Sequence, residues 1–266
     1  MTNPENTEWQ APPPPERIEP VEAPQMSEVA TLGNIFIEPG RTFEDLKRKP
    51  RFLMASIIIA LLVSAYGFGM YYKVGEEGMR AFTIEQMDKS PQAASMPAEQ
   101  RTSMISMSMT FQMVARYAMP VFILFFLVIG GLIYWAASKA FGGTGGFLHA
   151  LSVWVYSSLP PTVVAMIANF IVLAVKSVDD INIAASQRGV LQANPNILID
   201  TTANPVLATL LVTLDVFMIW GWVLAAIGLR IVNKISSGSA WAIIIILAVI
   251  GLLFRLIGSY FSGTAM

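Results

Sequence analysis

The chain has no cysteine and a single histidine among its 266 residues. The first absence removes disulfides, thiolate metal sites and thiol nucleophiles, and leaves the redox compartment undetermined. Charge is also scarce, at 13% of residues, against about 25% in a soluble domain. The deficit is concentrated in several nearly uncharged windows of about 20 residues, the length a helix needs to cross a bilayer. With 55% hydrophobic residues, the class is an all-α, multi-pass membrane bundle. The net charge of −1 argues neither for nor against nucleic acid, which is not among the expected partners.

Residues 1–31 are rich in proline and glutamate, with Pro12 to Pro15 in a row and Pro20 and Pro24 after them. Such a segment buries too little apolar surface to fold and reads as a disordered, solvated tail. It has no apolar h-region, so it is not a cleaved signal peptide. The membrane domain is expected over 32–266.

Pro39-Gly40 marks a turn, and Thr42 followed by Asp45 resembles a capping box. A short amphipathic helix on the membrane surface is therefore expected before the first span. Phe36, Phe43 and Leu46 are expected to dip into the interface, with Lys47, Arg48, Lys49 and Arg51 facing lipid headgroups.

Five spans follow, at about 52–72, 117–141, 147–176, 205–232 and 240–261. The first ends at Tyr71-Tyr72, as in an aromatic interface belt. The outer connection 73–116 is helical in its second half, where Met104, Met107, Phe111, Val114 and Ala118 share one face. Methionines are dense there, but no histidine or cysteine assists them, so they read as helix-contact filler rather than a copper site. The third span is expected to break at Pro160-Pro161, because two prolines remove two backbone donors. A second outer connection covers 177–204; its Asp179-Asp180 pair lacks a spaced third ligand for a hard cation. No metal and no cofactor is expected.

The basic residues Lys47, Arg48, Lys49, Arg51, Lys139, Arg230 and Lys234 gather on one side, which places the N-terminus in the cytoplasm and the C-terminus outside. The expected location is a bacterial cytoplasmic membrane.

The glycine-rich turn Gly142–Gly146 is not a phosphate loop. It lacks the Lys-Ser/Thr of a P-loop and the third glycine of a dinucleotide fingerprint, and no strand precedes it. It reads as a helix stop and tight turn. His149, just beyond it, reads as an interface residue. No Gly-x-Ser-x-Gly or His-Glu-x-x-His is present, so catalysis is not expected.

Two charges lie inside apolar spans, Asp215 and Arg255. An unpaired charge there costs about 2.5–3.5 kcal/mol on insertion scales. The topology brings both to similar depth, slightly outward of the midplane, so they are expected to pair. A second candidate is a polar site where the third span breaks, formed by Ser152, Tyr156, Ser157, Pro160, Pro161 and Asn169. Gly251 and Gly258 are small-residue positions for contacts within one chain or in a homo-oligomer.

The stretch Ile35-Phe-Ile-Glu-Pro39, with Thr42-Phe-Glu-Asp-Leu46 and Pro50, resembles the entry to bacterial Yip1-domain proteins. Ala140-Phe-Gly-Gly143-Thr-Gly-Gly-Phe147, followed by Val153-Trp-Val-Tyr156-Ser-Ser-Leu-Pro160, is similar to that family's inner turn and third span. The resemblance runs from about residue 32 to the end. It implies a five-helix domain, a cytoplasmic N-terminus and no enzymatic activity. The Asp-Leu-Tyr-Gly-Pro motif of eukaryotic members is absent, so their Rab binding does not carry over. Two functions follow as expectations. The first is a non-enzymatic protein that organises the bilayer or binds unidentified membrane or cytoplasmic proteins. The alternative is a small transporter or channel using the broken third span and Asp215 with Arg255.

Overall fold

The structure is a computed structural model that describes residues 23–88, 95–181, 183–186, 189–191, 193–198 and 204–262. Its helices are α1 (Glu28–Asn34), α2 (Pro39–Arg48), α3 (Leu53–Asp88), α4 (Ala98–Ala140), α5 (Phe147–Val175), α6 (Ile183–Ser186), α7 (Pro205–Val212), α8 (Val216–Val232) and α9 (Ser237–Ser262). Among the described residues there is no strand. Helices α3, α4, α5 and α9 are each long and apolar enough to span a membrane, and α7 and α8, bent by 49° at a short break, reach that length and hydropathy together. The chain is an all-helical, multi-pass membrane protein.

Helix α5 is the centre of the bundle and packs against α2, α3, α4 and α8. It is apolar on every side, as suits a helix that meets neighbouring helices in its first half and lipid along much of its second. The core gathers Phe43, Tyr134, Leu151, Val155, Tyr156, Leu159, Leu229 and Ile243. The break expected at Pro160-Pro161 does not occur: α5 runs from Phe147 to Val175 with both prolines inside it. The prolines still deprive the Tyr156 and Ser157 carbonyls of their partners four residues on. Neighbouring helices enclose this stretch. At Gly221 of α8 an added Cβ would stand 3.6 Å from the Ser157 carbonyl oxygen, so α8 backbone shields that oxygen from lipid.

The fourth span is the one that breaks. Asp215 lies between α7 and α8, and its carboxylate accepts from the backbone N–H groups of Phe217 and Met218. An aspartate N-cap of this kind starts a new helix rather than continuing the old one. The Val216 N–H turns away to the Ala193 carbonyl of the preceding connection.

Residues 1–22 of the expected tail lie outside the described residues. The chain already engages the bundle at Gln25 and Met26, ahead of Leu32, because both backbone N–H groups reach the Asp45 carboxylate. Helix α1 follows, capped by the Ser27 hydroxyl on Ala30 N–H. Thr42 does not cap α2. That helix begins at Pro39 after Glu38, and the Thr42 hydroxyl instead donates to the Glu38 carbonyl inside the helix. Proline suits the first helical position because its missing N–H would have had no partner there.

Helices α3 and α4 continue past the membrane as a helical hairpin. At 36 and 43 residues they measure about 54 and 64 Å at 1.5 Å per residue. Gly75, with φ 75°, bends α3 where the span gives way to the hairpin. The Arg116 guanidinium lies 3.3 Å above the Tyr71 ring and ties the two helices at that level. Beyond it, Gln112 donates to the Thr83 hydroxyl at 3.0 Å, and Arg101 pairs with Asp88. This hairpin marks one end of the bundle; the basic residues Lys139, Arg230 and Lys234 mark the other.

Candidate functional site

At the basic end, α1 and α2 cap the bundle. Phe43 and Leu46 are fully buried. They enter the protein core rather than the lipid interface. The Phe43 ring sits on Gly228 of α8, where an added Cβ would come within 2.8 Å of it. Phe36 keeps partial exposure and meets Trp220 edge-on. Among the four residues expected at headgroups, Arg51 is 8% exposed. Its guanidinium lies 3.3 Å from Asp45 and donates to the Thr31 hydroxyl and the Met26 carbonyl, each at 2.7 Å. Lys47 pairs with Glu44, and Lys49 is exposed. A donor on His149 Nε2 reaches the Lys47 carbonyl at 3.2 Å, pinning the end of α2 to the start of α5.

The glycine turn between α4 and α5 belongs to the same end. The Gly143 N–H donates to the Ser138 carbonyl, and the Thr144 N–H to the Asn233 carbonyl. The Asn233 amide donates to the Ser138 hydroxyl at 2.8 Å. A Cβ on Gly145 would come within 3.1 Å of Asn233 Cα. The glycines let the end of α8 approach this turn.

Within the membrane, a cavity of about 880 Å³ lies between α3, α4, α5, α8 and α9. Its walls include Tyr66, Tyr134, Trp154, Ser157, Ser158, Pro161, Thr213, Phe217, Trp222, Gly251 and Arg255. Of the six residues expected around the proline pair, Ser157 and Pro161 line it. Ser152 is buried and bonds the Leu148 carbonyl of its own helix. Pro160 faces the packed core. Tyr156 is buried in the packed core. Asn169 holds the connection after α5: its amide oxygen accepts from Leu191 N–H at 2.8 Å, and its amide nitrogen donates to the Ala165 carbonyl.

Counted along their helices, Asp215 and Arg255 come to similar distances from the basic end. Asp215 precedes the 17 residues of α8, about 26 Å from the basic end, and Arg255 lies 18 residues along α9 from Ser237, about 27 Å. Arg255 lines the cavity together with Thr213, Phe217 and Met218, which flank Asp215.

Asp45 was read from the sequence as the capping partner of Thr42, not as the buried carboxylate it is. The signal was present: Thr42, Phe43, Asp45 and Leu46 fall within one arc of a helical wheel, so an acid shares the buried face. Trp154 and Trp222 carried no polar pattern to mark them as cavity walls.

The family model described as "Yip1 domain" matches residues 33–258. The chain belongs to the Yip1 domain family. This Yip1 protein is also similar to "Membrane protein YknW" of Bacillus subtilis (strain 168), with 24% identity over 239 residues that cover 90% of this chain and 94% of the relative. No solved structure matches it. The family assignment agrees with the resemblance carried by the glycine turn and the α2 segment, and the match reaches almost to the end of α9.

Proposed function

We propose that this Yip1 domain is a non-enzymatic organiser of a bacterial cytoplasmic membrane that binds partner membrane proteins through its hairpin. The N-terminus lies in the cytoplasm and the hairpin and C-terminus lie outside, following the basic residues at the capped end. One observation carries the reading. Met104, Met107, Phe111 and Val114 are 38%, 68%, 72% and 57% exposed and form one face of α4. They stand about 3 to 18 Å beyond Arg116, so the two methionines lie past the headgroup layer. A continuous exposed apolar stripe in water marks an interaction surface.

A photo-crosslinking residue at Met107 in native membranes tests this. Protein adducts that disappear with Phe111→Glu are expected. Adducts to lipid alone, or none, overturn the reading.

A second reading is favoured by the cavity beside a bent span with Arg255 in its wall. In that case proteoliposomes show solute flux that Asp215→Asn abolishes. Flux of this kind replaces the organiser reading.

A further inference from the structure

We propose that the cavity bounded by α3, α4, α5, α8 and α9 is a phospholipid site: an acyl chain fills it, and the anionic headgroup rests on Arg255. This goes beyond the hairpin reading and has a separate readout.

The size fits. At about 880 Å³ the cavity lies within the roughly 300–1,000 Å³ of small-molecule sites. The cavity is open to the bilayer on one side, because Ile250 and Phe254 of its rim are 44% and 72% exposed. A lipid tail can therefore enter laterally without passing through water.

The walls favour a chain over a hydrated solute. Val63, Met166, Phe217, Trp222 and Leu247 supply apolar surface. The hydroxyls of Ser157 and Ser158, which also line the space, already donate to the Trp154 carbonyl of their own helix at 3.0 and 2.8 Å. Those two donors are satisfied before any ligand arrives, so this stretch of wall behaves as apolar surface.

The charge sits at the right height. Arg255 lies about 27 Å along α9 from Ser237, in the outer half of a hydrocarbon layer about 30 Å thick. From that depth a long cationic side chain extends toward the phosphates of the leaflet at the hairpin end. A guanidinium carries five donors in a fork that matches phosphate oxygens, so it serves a headgroup alongside an intramolecular partner. The level and the charge together select a phospholipid from that leaflet, in preference to a free acyl chain buried at random depth.

The test uses the full chain, purified in mild detergent, washed free of lipid and incubated with micelles doped with phosphatidylglycerol or phosphatidylcholine. Native mass spectrometry counts bound lipid. One phosphatidylglycerol per chain is expected, favoured over phosphatidylcholine by about fivefold, the effect of one basic residue near an anionic surface. Arg255→Gln is expected to bring that preference close to one while a lipid still binds. Gly251→Phe fills the space, since an added Cβ there meets nothing within 4 Å, and is expected to remove both lipids. Gly251→Leu replaces it if the larger variant fails to purify. Wild-type protein that binds no lipid, a filled variant that keeps it, or an unchanged preference in Arg255→Gln each overturns the proposal.

Discussion

The Arg51 guanidinium lies 3.3 Å from the Asp45 carboxylate, with the two side chains 8% and 1% exposed. Asp45 also holds the backbone of Gln25 and Met26, and Arg51 holds Thr31 and the Met26 carbonyl. The pair thus ties the start of the described chain, α1, α2 and the entry to α3 into one unit. Removing one partner leaves the other charge buried and uncompensated. Arg51→Leu or Asp45→Leu alone is expected to destabilise by about 3–5 kcal/mol, and the double replacement by clearly less than the sum. Thermal unfolding in detergent checks both. Additive losses refute a coupled pair.

Gly228 is pressed by Phe43 and Val153, which an added Cβ would approach to 2.8 and 2.7 Å. Gly228→Ala overpacks the contact between α2, α5 and α8 and is expected to cost about 1–3 kcal/mol. Gly251→Ala, with open space around it, is the matched control and should unfold at the wild-type temperature.

Asn233→Ala removes the donor to Ser138 at the glycine turn. The Ser138 hydroxyl keeps its bond to the Trp135 carbonyl, so the expected cost is that of one hydrogen bond, about 0.5–1.5 kcal/mol. Exchange of the Gly143 and Thr144 amides, followed by hydrogen–deuterium mass spectrometry, is expected to accelerate in this variant. Unchanged protection at those amides removes the bond from the account of the turn.

Asp215 has two candidate duties, and one pair of variants separates them. Asp215→Asn keeps the N-cap and removes the charge, whereas Asp215→Ala removes both. The cap alone predicts a loss of about 1 kcal/mol for alanine and little for asparagine. Pairing with Arg255, the arrangement we propose from their similar distances along the helices, predicts that asparagine also destabilises. It further predicts that the Asp215→Asn effect shrinks in an Arg255→Leu background. A double-mutant cycle without coupling removes the pairing and leaves the cap.

Part of the candidate site was visible in the residues, though not its partition. Pro161, Ser157 and Arg255 line the cavity, whereas Pro160 does not. Ser152, Tyr156 and Asn169 share the same helix but serve three other ends: a bond to their own helix, the packed core and the connection after α5. A linear pattern names the residues of a helix without saying which neighbour each side meets.

The sequence by itself determined that the chain is helical, that it carries several segments apolar and long enough to cross a membrane, and where the glycine turn and the basic end fall. Those features depend on local hydrophobicity, length and turn chemistry. The tertiary structure alone decided that α5 passes intact through Pro160-Pro161, that the bend lies at Asp215, and that Arg51 points inward to Asp45. In each case a neighbour remote in sequence settled the outcome. Enclosure by other helices shields carbonyls that prolines leave unpaired, the Ala193 carbonyl takes the Val216 N–H at the bend, and a buried carboxylate holds a cation that hydropathy alone assigns to the headgroups.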